Sequence, residues 1–259
     1  MEKLEALKQM IASCGKLCIA YSGGADSSFL AHVAHDVLGN NALAVLVDSP
    51  MLARRDKADA IKLLERSGIT YEVVEASLLD SEEISQNNSM RCYFCKKADF
   101  TFILDVAHKY GIKYVADGQN ADDALSKYRP GLKAGREMGV ISPLIDCNLT
   151  KEDIRKYSKL LGVETWNKPA NACLSSRIPY GVPVTAERLS VIEAAEESLR
   201  SRGMESCRVR WHGEIARIEA PRCWFDKILN TNEIIEEIKS LGFKYVTLDI
   251  EGFRSGSMN

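Results

Sequence analysis

Residues 16–33 read KLCIAYSGGADSSFLAHV, and the turn at their centre decides the fold. An apolar, strand-like run ends at Tyr21, SGGADSS follows, and Phe29, Leu30 and Val33 then fall at helical spacing. Gly23 and Gly24 let the backbone turn tightly and present amide hydrogens, and the start of the helix adds positive potential, so an anion is welcome there. The hydroxyls of Ser22, Ser27 and Ser28 add hydrogen-bonding partners for phosphate oxygens. The loop matches neither the Walker pattern nor the dinucleotide fingerprint. Taken alone, the two glycines fit a plain strand-to-helix turn with Asp26 or Ser27 as its cap equally well.

In context, SGGADS resembles the PP-loop of the ATP pyrophosphatases, which split ATP between the α- and β-phosphates to adenylate a substrate. The resemblance implies an ATP site on Ser22, Gly23, Gly24, Asp26 and Ser27, joined by Asp48 and Gly118 at neighbouring strand ends. Asp48 ends the run ALAVLVD, where an ordinary turn aspartate is about as good an explanation. Asp117, Gly118, Asn120, Asp122 and Asp123 follow the run KYVAD. Carboxylates there suit Mg²⁺ held against a triphosphate, with Asp26, Asp122 and Asp123 as the expected ligands; the alternative for Asp122 and Asp123 is an acidic helix start.

Outward from the loop, short apolar runs alternate with helical patterns: KLCIAY, ALAVLVD, IKLLERSG, TYEVVEA and KYVADG. This predicts an α/β domain over residues 1–169, a parallel sheet with helices on both faces. Ser77 to Met90 is polar and is expected to be an irregular loop. After Pro169 the pattern changes to a smaller C-terminal α+β domain over 170–259, with a hairpin around His212-Gly213 and a last strand in KYVTLDI.

Net charge is near zero, 34 Lys and Arg against 36 Asp and Glu, so no nonspecific grip on nucleic acid or membrane is implied. MEKLEALKQMIASCG places Leu4, Leu7 and Ile11 on one helical face, unlike a secretory signal, and no apolar run is long enough to cross a membrane. Eight cysteines without an export signal argue for a reducing compartment, so a cytoplasmic protein is expected.

RCYFCKK, residues 91–97, turns the thiols of Cys92 and Cys95 toward one point. A structural zinc wants two such pairs, and a thioredoxin-like pair belongs after an early strand, so a third ligand is wanted. The candidates are Cys173, in the loop KPANACLSSRIPYG beside Arg177, and Cys147, which reads as the end of a strand. Cys173 is preferred. Cys14, Cys18, Cys207 and Cys223 read as structural.

SGGADS, RCYFCKK, DGQNADD with the later RPG, SPL, KPANACLSSRIPYG and RVRWHGEIARIE together resemble the LarE family, ATP-dependent sulfur transferases of nickel-pincer cofactor synthesis. The resemblance implies an enzyme that adenylates the carboxylates of pyridinium-3,5-biscarboxylic acid mononucleotide and converts them to thiocarboxylates. In some members a lone cysteine matching Cys173 gives up its own sulfur. In others three cysteines hold a 4Fe-4S cluster that delivers sulfide, and Cys92, Cys95 and Cys173 fit this second type. It further implies a homo-oligomer, a sulfide donor, and a substrate phosphate held by Ser176, Arg177, Arg208 and Arg210, with ATP and Mg²⁺ as cofactors. The rival readings are another PP-loop enzyme, either a tRNA thiolase or an amide-forming ligase.

Overall fold

The computed structural model describes residues 2–125, 130–169 and 172–254. These form two compact units, residues 2–78 with 90–169, and residues 79–89 with 172–254.

The first unit is built on a four-stranded parallel sheet, β1 (Leu17–Tyr21), β2 (Ala42–Asp48), β3 (Tyr71–Glu75) and β4 (Tyr114–Ala116), in the order β3-β2-β1-β4. Its helices are α1 (Glu2–Cys14), α2 (Ala25–Leu38) and α3 (Arg54–Arg66), then α5 (Arg91–Lys109), α6 (Ala121–Leu125), α7 (Pro130–Glu137), α8 (Pro143–Asp146) and α9 (Lys151–Leu160); α4 (Glu82–Ser85) lies in the second unit. Side chains of a strand alternate between faces, and the two faces of this sheet are both apolar. Leu17, Ile19, Ala44 and Leu46 join one core with Leu7, Phe29, Leu30 and Leu64. Cys18, Leu43, Val45 and Val115 join the other with Phe100, Ile103 and Ala107 of α5. Two apolar faces require two helical layers, the architecture predicted from the near-continuous apolar runs.

The second unit carries a three-stranded sheet, β5 (Arg208–His212), β6 (Ile215–Glu219) and β7 (Tyr245–Leu248). Strands β5 and β6 form the expected antiparallel hairpin, turning at Gly213 with φ 66°, and β6 pairs with β7 in parallel. The helices α10 (Ala186–Arg200), α11 (Phe225–Leu229) and α12 (Asn232–Ser240) contribute Leu199, Ile228, Ile234 and Ile238 to one apolar core with Val209 and Ile218. No helix among the described residues is long and apolar enough to cross a membrane.

Two local readings change. The segment expected as a loop of the first domain contains α4 and folds into the second unit instead. Its anchor is Asn87, whose carboxamide nitrogen donates to the carbonyls of Ile178 (3.3 Å), Pro179 (2.9 Å) and Val182 (2.9 Å), while its own carbonyl accepts from Gly181 N (3.0 Å). A polar stretch is ordered here because one side chain satisfies three carbonyls that would otherwise be lost to water. Cys147 does not end a strand: it follows α8 and packs against the first core.

Candidate active site

The loop after β1 is shaped by what its glycines avoid. Gly23 has φ +69°, and a Cβ there would lie 2.6 Å from the Cβ of Ala60 on α3. Gly24 is the N-cap of α2 and supplies no side-chain cap, contrary to the alternative that Asp26 or Ser27 does so. First-turn amides without a side-chain acceptor are the groups an anion satisfies. Ser27 Oγ accepts from Ser22 N (3.3 Å), lies 3.1 Å from Ser22 Oγ and donates to the carbonyl of Gly24 (3.2 Å). Gly118, beyond β4, crosses the same helix start so closely that a Cβ would stand 2.8 Å from Ser27 N.

Two lysines reach this loop and a third the adjoining strand end, and none was singled out by its sequence setting. Lys168 Nζ donates to the carbonyl of Gly23 (2.9 Å), Lys151 Nζ lies 3.4 Å from Asp26 Oδ2, and Lys57 Nζ is paired with Asp48 at the end of β2. Lys168 opens the stretch KPANACLSSRIPYG, but only the fold brings it to Gly23.

Among the expected Mg²⁺ ligands, Asp26 accepts from Asn120 Nδ2 (3.1 Å) through Oδ2, while its Oδ1 is buried without a hydrogen-bond partner. Asp122 Oδ2 accepts from the backbone of Lys151 at the start of α9 (2.8 Å), and Asp123 Oδ2 accepts from that of Asn120 at the start of its own helix (3.2 Å). No cluster of three metal-ligating side chains exists among the described residues. Asp117 is buried, accepting from Ser142 Oγ (2.8 Å) and Gln119 Nε2 (2.6 Å); burial pushes its carboxyl above the ordinary range, and these hydrogen bonds oppose the rise.

Cys92 and Cys95 stand in the first turn of α5, three apart on one face. Cys92 is exposed with Arg91 Nη2 3.8 Å from its sulfur, and the half-buried Cys95 lies 4.0 Å from Met51 Sδ. Cys173, in the second unit, is exposed and precedes a 3-10 turn, Leu174–Arg177; its carbonyl accepts from Ser176 N (3.0 Å). Other thiols are set apart by burial. It pushes Cys18 and Cys207 up to about 12, helped by Glu72 and Glu196 respectively. It also raises Cys14 and, with Asp146, Cys147, so Cys147 is a poor candidate for an anionic ligand. Cys223 is exposed at a 3-10 turn.

The phosphate-binding arginines expected from the sequence do not present open guanidinium groups. Arg177 is 2% exposed and forked on Glu196, which is 0% exposed; Arg210 is buried with Nη2 2.7 Å from Glu219 and Nη1 3.1 Å from the carbonyl of Ser176. Arg208, two residues before Arg210 on β5, is half-buried, with its guanidinium 5.3 Å from the Phe253 ring. Burial and the neighbouring Arg177 lower its pKa, and Glu196 opposes them. Arg129 of the RPG motif and Ala170-Asn171 of the KPANAC loop lie outside the described residues.

Comparison with known proteins agrees with this geometry. The family model "NAD synthase" matches residues 2–99, a stretch that includes the anion-ready loop. An uncharacterized protein of Methanocaldococcus jannaschii is 33% identical over 93% of this chain and 91% of its own length. An uncharacterized protein of Synechocystis sp. is 41% identical over 99% of this chain and 97% of its own. Pyridinium-3,5-bisthiocarboxylic acid mononucleotide synthase of Lactiplantibacillus plantarum is 38% identical over 94% of this chain and 89% of its own. With that identity running through both units, the chain belongs to the LarE family of ATP-dependent sulfurtransferases, built on the PP-loop ATP pyrophosphatase fold.

Proposed function

We propose that the chain adenylates the ring carboxylates of pyridinium-3,5-biscarboxylic acid mononucleotide and converts them to thiocarboxylates. A carboxylate oxygen attacks the α-phosphorus of ATP, the bond to the bridging oxygen of pyrophosphate breaks, and pyrophosphate leaves. A sulfur nucleophile then adds to the acyl carbon, the acyl–oxygen bond breaks, and AMP departs with the electron pair. Two rounds treat both carboxylates. One observation carries the reading: a helix start capped only by Gly24, ready for an anion, in a chain that is similar to the named synthase over 94% of its length.

In this reading ATP lies on Ser22, Gly23, Gly24, Asp26 and Ser27, with Asp48 and Gly118 at the adjoining strand ends. Lys168 holds the Gly23 carbonyl, so the amides of the turn keep facing the phosphates. The unpartnered Oδ1 of Asp26 suits Mg²⁺, which takes few carboxylates and keeps phosphate oxygens, with Asp122 and Asp123 as its further expected ligands. Ser176, Arg208 and Arg210 are the phosphate-side residues for the mononucleotide; Arg210 keeps its contact with Glu219, a carboxylate that Arg217 shares, so Glu219 leaves positive charge over for an anion.

For sulfur delivery we assign Cys92, Cys95 and Cys173, thiols that suit iron–sulfur ligation by their softness, exposed at Cys92 and Cys173 and half-buried at Cys95. A 4Fe-4S cluster bound by these three would supply sulfide from its open iron. The second reading, sacrifice of the Cys173 sulfur, is favoured by the exposure of that thiol in a loop. The chain is further proposed to work as a homo-oligomer reloaded by a sulfide donor.

The test is anaerobic reconstitution with iron and sulfide, followed by single turnover with ATP and the mononucleotide. Pyrophosphate release and replacement of carboxylate oxygen by sulfur in the product, with Cys173 intact by mass, are expected. Loss of hydrogen sulfide from Cys173 without any cluster absorption would restore the sacrificial route. Release triggered only by tRNA, or by ammonia with another acid, would move the chain to a different PP-loop activity.

A further inference from the structure

We infer that Arg177 does not hold substrate but is a positioning residue for Cys173, its guanidinium fastening the backbone of the cysteine loop to Glu196 of α10. The inference rests on the assignment of Cys173 to sulfur delivery, whether as a cluster ligand or as the donor of its own sulfur.

The geometry divides the guanidinium into two working edges. Nη1 donates to the carbonyls of Ala172 (2.5 Å) and Cys173 (3.0 Å) and to Ser176 Oγ (3.1 Å). Nε and Nη2 donate to Glu196 Oε1 (2.9 Å) and Oε2 (3.1 Å), the parallel two-bond geometry that only arginine offers a carboxylate. Glu196 is in turn anchored: Oε1 accepts from Val209 N of β5 (3.1 Å), and Oε2 pairs with Arg200 one turn along α10. The chain around Cys173 is thereby tied to a helix and a strand through one buried carboxylate.

This arrangement leaves little for a phosphate. The donors of Arg177 are already engaged inside the unit, and a phosphate would have to displace a carboxylate held by an amide and a second arginine. Beyond Arg177 the same loop is pinned again, where the Asn87 carboxamide takes the carbonyls of Ile178, Pro179 and Val182. Next to these ties the thiol of Cys173 is exposed. An exposed reacting group on a fixed backbone is what precise placement requires, since displacement by about 1 Å costs on the order of 10²-fold in rate.

The test compares full-length wild type with Arg177→Lys, which keeps a positive charge toward Glu196 but cannot span both edges. A second variant, Arg177→Met/Glu196→Met, removes both charges together so that neither is left buried alone. Thermal melting confirms folding of each. The mononucleotide KM is expected to stay within about threefold while kcat falls about 10²-fold. Alkylation of Cys173 by iodoacetamide is expected to change about tenfold while that of exposed Cys223 does not. A KM raised about tenfold or more at unchanged kcat would overturn the inference and return Arg177 to the phosphate. If wild type itself makes no thiocarboxylate, the sulfurtransferase reading fails; equal Cys173 alkylation in wild type and variants would then separately overturn the positioning role.

Discussion

Lys168 reaches across 145 residues of sequence to donate its ammonium to the carbonyl of Gly23, 2.9 Å away. The bond holds the peptide at the first glycine of the phosphate loop, where φ is +69° and Ala60 leaves no room for a side chain. Removing it with Lys168→Ala is expected to weaken ATP by about tenfold or more, because hydrogen bonds to charged groups contribute about 1.5–3 kcal/mol. Isothermal titration with ATP checks this, and an unchanged affinity would leave Lys168 without a role in the loop.

Gly118→Ala should act on the same site from the other side. A Cβ 2.8 Å from Ser27 N and 2.9 Å from Ser27 Cα meets backbone, which cannot rotate away, so the start of α2 must shift. Overpacking of this kind costs about 1–3 kcal/mol. The expected result is a raised KM for ATP with a lowered melting temperature. Gly139→Ala, where a Cβ meets nothing within 4 Å but φ is +72°, serves as the comparison for backbone strain alone.

The cysteines should separate by chemistry. In the folded protein at pH 8, iodoacetamide is expected to modify exposed Cys92, Cys173 and Cys223 and to spare Cys18 and Cys207, whose thiols burial pushes up to about 12. Cys147→Ser should retain sulfur transfer, while Cys92→Ser and Cys173→Ser should lose it. Peptide mass mapping and product formation read the two outcomes, and loss of activity in Cys147→Ser would reopen its candidacy as a ligand.

Asn87 offers a stability test with two separable parts. Its φ of 56° is left-handed, and its carboxamide serves three carbonyls. Asn87→Gly keeps the conformation and loses the hydrogen bonds, so it should destabilise by about 1–3 kcal/mol, the cost of buried groups left unsatisfied. Asn87→Ala adds the strain of the backbone angle and should cost more. Urea unfolding gives both values; equality of the two variants would show that the backbone conformation contributes nothing.

Acid should weaken the second unit through Glu196. Burial alone would raise this carboxyl, but Arg177 beside it, with Arg200 and Arg208, holds it below the ordinary 4.5. The unfolded chain therefore binds the proton first, so the stabilisation is present above about pH 4.5 and is lost as pH falls toward the folded value. Asp117 has the opposite sign: its folded carboxyl lies above the ordinary 3.8, so its contribution declines as pH rises through that window. Glu196→Gln should flatten the acid limb of a stability–pH curve measured by urea unfolding.

The phosphate loop was legible because its chemistry is local. Strand, two glycines, hydroxyls and helix are contiguous, and the alternating apolar residues on either side dictate a sheet with two buried faces. The thiol pair in RCYFCKK was legible for the same reason. What the sequence could not show was pairing at a distance. Arg177, Arg208 and Arg210 read as open cations for a phosphate, because nothing local reveals that Glu196 and Glu219 pair with two of them inside the fold. Nothing in the sequence assigned Lys151 and Lys168 a role; tertiary structure brings them to Asp26 and to the Gly23 carbonyl. Ser77 to Met90 read as a loop because polar composition carries no period, while its order comes from the three carbonyls that Asn87 satisfies elsewhere in the chain. The sequence by itself determined the sheet and the anion-ready turn, since each follows from residues a few positions apart. Only the tertiary structure decided which charges are spent on one another, because a buried ion pair is chosen by the fold that removes both partners from water.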